Sequence, residues 1–260
     1  MTSDVLQVEH PEQGIVVLTL HRPDRLNALD GDLVDALTRT LSDLASTWPA
    51  TKVILLRGAG RAFCSGVDLK WLDASVLADA KATNEFLDRL GALCSLLESV
   101  PQVVIGAVHG FAVAGGLELL LGCDVVMVST DAQIGDEHMR RDLVPGGGDS
   151  QRLPRRVGFA RGMYLLLTGN RISGADAVGW GLACAAVEPQ QLDDVALDLA
   201  RQLAARDARA LQTVKSMVRR GLELPLQEAL SLELYLRRRY HDDSDAPARS
   251  IAQFAAGGSA

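Results

Sequence analysis

The stretch Gly110-Phe111-Ala112-Val113-Ala114-Gly115-Gly116-Leu117-Glu118 lies between two apolar runs of strand character, Val103 to Val108 and Val125 to Val128. A turn lined with small residues lets backbone N–H groups come close to a ligand. Leu117, Leu119, Leu120 and Leu121 predict an amphipathic helix with one carboxylate, Glu118, in its first turns. Glycines that expose N–H groups where a helix begins make an anion or oxyanion site. A lone acid among leucines is also the setting that tunes a carboxylate for proton transfer. The same residues fit a plain strand-to-helix connection with a solvated glutamate equally well.

Outward from this turn, Gly14 to Leu20 reads as a buried strand ended by His21-Arg22-Pro23. Asp30 to Leu44 has helical spacing (Leu33, Leu37, Leu41, Leu44), with Asp30 placed to cap it. Lys52 to Arg57 is a second strand before Gly58-Ala59-Gly60, and Thr83 to Ser99 is helical and stops before Pro101. Strands, glycine-rich turns and helices in this order predict repeating ββα units rather than a plain βαβ array. From about Pro154 strand patterns vanish. Helical ones follow at Ala160 to Leu167, Gly174 to Trp180, Leu192 to Ala205, Ala208 to Arg220 and Pro225 to Tyr240. The tail from Asp242 reads as frayed or partner-dependent. An α/β core over residues 1–195 and a helical C-terminal region over 196–260 are expected.

The chain has 260 residues, 48% of them hydrophobic and 23% charged, which is ordinary for a folded soluble protein. A net charge of −7 gives no support for a nucleic-acid partner, and Arg237-Arg238-Arg239 reads as a solvated helix face or a phosphate-binding rim. Cys64, Cys94, Cys123 and Cys184 lie far apart without metal-ligand spacing, so reduced thiols and no metal are expected. Met1 to Pro11 has no apolar core of a signal peptide, and no run reaches 18 apolar residues. A cytoplasmic chain without membrane contact is expected.

Several chemistries fail on spacing. Gly58 and Gly60 would need a third glycine where Phe63 stands to bind a dinucleotide. Ser65, in Phe63-Cys64-Ser65-Gly66-Val67-Asp68, is not in a nucleophile elbow, and neither it nor Cys64 has a histidine nearby in sequence. Two glycine-bearing turns after strands remain, Cys64 to Asp68 and Ala114 to Gly116. Two such turns can each aim one N–H at a single carbonyl oxygen. A third segment, Ala132 to His138 continued by Leu143 to Leu153, is irregular, glycine-dense and rich in titratable groups, as an active-site loop would be.

Together these segments closely resemble the enoyl-CoA hydratase/isomerase (crotonase) family, from about Gly14 to Tyr240. The matching pieces include Leu26-Asn27-Ala28-Leu29, Ala62 to Leu69, the opening turn ending at Glu118, Pro145-Gly146-Gly147-Gly148, Gln151-Arg152-Leu153 and Leu167-Thr168-Gly169. The resemblance implies an α/β spiral of ββα units, trimerised through its C-terminal helices and often paired into hexamers. It implies an acyl-CoA thioester substrate and no separate cofactor, coenzyme A arriving as part of the substrate. Val67 and Gly115 match the oxyanion-hole positions. Arg25, Leu26, Ala28, Ala62, Ser65, Asp68 and Leu69 match contacts to adenine and pantetheine, with Lys70 near the phosphates. The acyl pocket would be lined by residues 71–90 and 139–144, where Arg140 and Arg141 could meet a polar acyl group.

Hydratases of this family grip one water between two glutamates. Glu118 matches the first, and the position of the second holds His138. A neutral imidazole can accept a proton and its cation can donate one, so acid–base chemistry survives the exchange. Glu137 is one residue away, and Asp149 replaces a small residue of the family, so both are alternatives. The basic cluster with which the family often ends is missing from Ile251-Ala252-Gln253-Phe254. Hydration of a 2-enoyl-CoA is the leading expectation. Double-bond isomerisation or other enolate chemistry with Glu118 as sole base is a second, and an inactive acyl-CoA-binding subunit is a third.

Overall fold

The computed structural model describes residues 4–75 and 79–256. Strands β1 (Leu6–Glu12) and β2 (Ile15–Leu20) form an antiparallel pair, and β2 runs parallel to β3 (Val53–Gly58) across α1 (Gly31–Ser46). The Asp30 carboxylate caps α1 as expected, accepting from Leu33 N–H at 2.9 Å. Then come α2 (Leu69–Ser75), α3 (Ala80–Ser99), β4 (Val103–Val108), β5 (Phe111–Val113) and α4 (Gly115–Gly122). They are followed by β6 (Val125–Ser129), β7 (Gln133–Gly135), α5 (Asp149–Val157), α6 (Phe159–Thr168), β8 (Arg171–Ser173), α7 (Gly174–Gly179) and β9 (Ala185–Val187). Four helices close the chain: α8 (Leu192–Ala204), α9 (Ala208–Gly221), α10 (Leu226–Asp243) and α11 (Ala246–Ala255).

The large sheet has the order β1-β2-β3-β4-β6-β9, and a small one the order β5-β7-β8. Two turns of the spiral each send one strand into the large sheet, a short strand into the small one, and then a helix. β4, β5 and α4 make one such turn, and β6, β7 and α5 make the next. One turn earlier, β3 is followed by a segment that makes only isolated bridges, Cys64 to Ala112 and Val67 to Leu29. The Gly66 turn and the turn at 114–116, which follow β3 and β4, therefore lie against each other.

The central strands read as continuous apolar runs because both sheet faces are covered. Val16, Leu18, Ile54, Leu56, Val104 and Val126 face the main core with α1, α3 and α4. Ile15, Val17, Val53, Leu55, Ile105 and Met127 face Leu192, Ala196 and Ala200 of α8. The expected division at 195/196 falls within α8.

Three features differ from the expectations. Strands continue past Pro154 as β8 and β9, each only three residues long and so too short for a period of two to register. The tail is not frayed throughout, since Ala246–Ala255 is helical, while 257–260 lie outside the described residues. Finally, α4 is not amphipathic: all eight of its residues are buried. Among the described residues no helix is long and apolar enough to cross a membrane.

Candidate active site

The opening turn is strained where it matters. Ala114, the residue before α4, has φ 50° and ψ −121°. Such a conformation costs a non-glycine residue on the order of 1–3 kcal/mol, and it persists where surrounding contacts impose it. Ala114 N–H is tied to Gly135 O at 3.0 Å, and Val113 N–H to Cys64 O at 3.1 Å. The second turn lies directly against it: a Cβ on Gly66 (φ +91°) would stand 3.0 Å from Ala114 Cβ and 3.4 Å from Gly115 N. A Cβ on Gly116 would collide with the Cys64 carbonyl, so glycine alone lets the two turns touch. Leu29 N–H to Gly66 O and Asp68 N–H to Leu29 O, both 2.8 Å, bracket Val67 and leave its own N–H unused. Among the described residues no acceptor takes the N–H of Val67 or of Gly115. Gly115 is buried and Val67 half-buried, and backbone donors in such places are rarely left unpaired, so the two from abutting turns mark a place for an acceptor on a ligand.

Glu118 sits one turn into α4 and is 1% exposed. Its carboxylate accepts from the N–H of Gly147, and the N–H of Asp149 at the start of α5 points at it as well. Burial pushes its pKa up. The His138 charge and the Gly147 N–H oppose that, the charge of Asp136 adds to it, and the net shift is upward. A Cβ on Gly147 would lie 2.5 Å from Glu118 Oε2 and 2.6 Å from its carboxyl carbon, so this glycine is required by close approach. Arg152 holds the same loop, donating to Gly147 O and to Glu98 Oε2, each at 2.7 Å.

The loop after β7 brings three more titratable groups together. His138 Nδ1 lies 3.0 Å from Asp136 Oδ1, and His138 N–H donates to the backbone oxygen of Asp136 at 2.8 Å. Asp136 and Asp149 are wholly buried, and one ligand-type atom from each of Asp136, His138 and Asp149 falls within 4.8 Å of the others. Burial disfavours the charged imidazole, but the Asp136 hydrogen bond and charge, with the charge of Glu118, raise the His138 pKa overall. No N–H or hydroxyl among the described residues donates to either Asp149 oxygen, and burial, then the charge of Glu118 and the hydrogen bond and charge of Asp136, hold its carboxyl protonated well above the usual range. Glu137 turns the other way. Its carboxylate is paired with Arg171 of β8, with Arg140 3.9 Å off, and His138 rather than Glu137 is the neighbour whose charge reaches Glu118.

The residues matched to coenzyme A contacts lie on two segments that the fold joins, since Ser65 N–H donates to Leu26 O at 3.1 Å. Arg25, Leu69 and Lys70 are exposed, Leu26 and Ser65 are half-buried, and Ala28 and Ala62 are buried. Asp68 is spent internally: it pairs with Arg22 at 3.1 Å and accepts from Trp71 N–H at 3.2 Å. Of the stretch expected to line an acyl pocket, residues 76–78 lie outside the described residues, while Leu87 of α3 packs against Gly146. Arg140 is engaged by Gly169 O at 2.8 Å, and Arg141 is exposed. Cys64 is fully buried, and burial pushes its thiol up to about 12, so it is no nucleophile at neutral pH.

Sequence reasoning gave no role to Asn27, Asp136, Gly147 or Arg152. Asn27 is buried at φ 55° and donates to Ala59 O (2.9 Å) and Ala62 O (2.7 Å), which locks these two segments together. An aspartate two residues before a histidine in a loop is a pattern that could have drawn attention to Asp136.

An α/β spiral with two free backbone donors beside a buried, helix-terminus-bound carboxylate defines a protein of the crotonase fold class. The sequence from residue 10 to 256 matches the enoyl-CoA hydratase/isomerase family, and the chain belongs to it. It is 34% identical over 227 residues to the human mitochondrial enoyl-CoA hydratase domain-containing protein 2, covering 86% of this chain and 77% of that protein. Rat mitochondrial methylglutaconyl-CoA hydratase is 31% identical over 239 residues, covering 89% of this chain and 75% of the relative. The crystal structure of an enoyl-CoA hydratase from Bacillus anthracis superimposes with a TM-score of 0.93 at 28% identity, covering 98% of this chain and 97% of the other.

Proposed function

We propose that the chain hydrates 2-enoyl-CoA thioesters to 3-hydroxyacyl-CoA. The observation that carries this reading is the pairing of two unengaged N–H groups, Val67 and Gly115, with two proton-handling side chains, Glu118 and His138. The thioester oxygen accepts from Val67 and Gly115, which draws electrons from Cβ; one oxyanion donor of this kind is typically worth about 2.7–4 kcal/mol. Glu118, ionised, takes a proton from water as the water oxygen bonds to Cβ. The π electrons move onto the thioester as an enolate, and His138 as the cation gives its Nε2 proton to Cα. One water has then been added across the double bond. The proton on Glu118 returns to His138 through the next water, which resets the site.

Two groups able to handle protons favour addition of water over a 1,3-proton shift, for which one base suffices. Incubation of the purified protein with crotonyl-CoA and longer 2-enoyl-CoA esters should give 3-hydroxyacyl-CoA. No hydrated product at any chain length would overturn the reading.

The pH dependence follows from both shifts. Glu118 must lose its proton and its pKa is raised, so activity should rise with pH above the ordinary carboxylate range. His138 must keep its proton and its pKa is also raised, so the fall at alkaline pH should lie above 6.5.

The coenzyme would lie along Arg25, Leu26, Ala28, Ala62, Ser65, Leu69 and Lys70, with Asp68 shaping the turn through Arg22. A homotrimer or a hexamer fits the C-terminal helices. α10 has no buried residue although it carries Leu226, Leu230, Leu234 and Tyr235, and Val214, Val218 and Leu222 of α9 and its cap are exposed beside it. An apolar surface of this extent is characteristic of a subunit contact.

A further inference from the structure

We propose that Asp136 is a positioning residue for His138, holding the imidazole by Nδ1 so that Nε2 carries the proton exchanged with the substrate. This rests on the hydration reading for its consequence in catalysis, but its structural content stands apart from it. Asp136 is 0% exposed, and His138 is its one ion-pair partner among the described residues. It grips that partner three times: its Oδ1 meets the ring at 3.0 Å, while its Oδ2 and its backbone oxygen accept from His138 N–H at 3.3 and 2.8 Å. A backbone at φ 56° at Glu137 produces the reversal that permits this. It sends the Glu137 carboxylate to Arg171 and returns the chain so that residues 136 and 138 face each other. The hydrogen bond at one ring nitrogen decides the tautomer, and with Nδ1–H bound to a carboxylate, Nε2 is left for chemistry.

The surrounding charges point the same way. Glu118 approaches from α4 and Asp149 from α5, and the latter's protonated carboxyl adds no competing negative charge. On the histidine's own turn, Arg140 is taken up by Gly169 O and Arg141 is exposed. α6 brings Arg161, whose guanidinium lies 5.1 Å from the Trp180 ring centroid instead. Asp136 is thus the closest full charge on the ring. The loop has replaced one glutamate by a carboxylate–imidazole pair.

The test is a nitrogen-15 NMR titration of the histidines in the intact protein, with the His138 resonance assigned by its loss in His138→Gln. In the wild type, neutral His138 should carry its proton on Nδ1, and the ring should titrate above 6.5. In Asp136→Asn, which keeps a hydrogen-bond acceptor and removes the charge, the titration should fall by about 1–3 units. The alkaline limb of kcat/KM should fall with it, while KM well below that limb stays put. The Nε2–H tautomer in the wild type, a measurement that needs no variant to fold, would overturn the proposal. So would an unmoved His138 titration in Asp136→Asn. Activity that is lost to a chelator and restored by a divalent cation would instead make Asp136, His138 and Asp149 ligands, and would sink it as well. If no enoyl-CoA is hydrated while the tautomer and the shift are found, the hydration reading fails and the positioning of His138 survives.

Discussion

The turn from Gly110 to Glu118 and the loop from Asp136 to Asp149 serve the same buried carboxylate, yet they are built on opposite plans. The turn is held by regular structure: β5 before it, α4 after it, and the Gly66 turn packed against it at van der Waals distance. Its groups are placed by backbone, so residue types that permit backbone approach decide it. The loop is held by side chains: Asp136 to His138, Glu137 to Arg171, Arg152 to Gly147. Its geometry is a set of choices among neighbouring acids and bases, any of which could have been made differently. A family can therefore keep the first region and vary the chemistry of the second.

The largest break in that comparison is Glu118→Gln. The amide fits the same space and removes the base, so hydration should fall by about 10²–10⁴-fold. Binding of the 3-hydroxyacyl-CoA product, measured by calorimetry, should survive because Val67 and Gly115 are untouched. More than a tenth of the activity remaining would move the base elsewhere, most plainly to the loop.

Gly147→Ala probes the joint between the regions. The added Cβ would stand 2.5 Å from Glu118 Oε2, so either the carboxylate or the loop has to yield. Misplacement of a catalytic group by about an ångström can cost on the order of 10²-fold. The loss should fall on kcat rather than on stability, because α5 stays tied through Arg152. A variant as active as the wild type would show that the loop gives way freely, which contradicts the packing described.

Most of the turn was legible in the sequence. Small residues, a strand before and leucines after fix where a backbone can come close, and these are local properties of neighbouring residues. The isolation of Glu118 among apolar side chains was readable for the same reason, although the helix proved buried on every side rather than on one. The loop was legible only as a titratable, glycine-rich segment. Which of Glu137 and His138 turns toward Glu118 depends on one left-handed residue and on Arg171, some thirty positions later in the chain. Short-range patterns carry no trace of such a pairing. β8, the strand that supplies Arg171, is itself too brief to have been read.

The paired substitutions His138→Gln and Glu137→Gln test that choice. His138→Gln should lower hydration by about 10²-fold and remove the alkaline limb of the pH profile. Glu137→Gln should leave kcat within the about 0.5 kcal/mol, roughly twofold, usual for sites away from the chemistry. Its cost should appear in Tm, because Arg171 loses the partner that ties the loop to β8. The reverse outcome, with Glu137 the more damaging to kcat, would mean that the loop rearranges when substrate binds.

The last comparison separates the two regions on stability rather than rate. Asp149 keeps its proton in the folded chain well above the usual carboxylate range, because it is buried and faces Glu118 and Asp136. Unfolded, it gives up that proton near pH 3.9. Between these two values the folded state holds a proton that the unfolded state has lost, so stability falls as pH rises, by about 1.4 kcal/mol per pH unit while that difference lasts. Asp149→Asn has no such proton to hold. It should therefore gain on the wild type as pH rises from 4 to 8, with a Tm advantage of about 2–4 °C for each kcal/mol relieved. The variant should keep a shallower slope of the same sign, since the raised values of Glu118 and His138 remain in both proteins. Melting curves of the two proteins across that range decide the matter. Parallel curves would show that Asp149 is ionised inside the fold and stabilised by something other than its proton, and the loop would then carry one more negative charge beside His138 than the geometry of Asp136 requires.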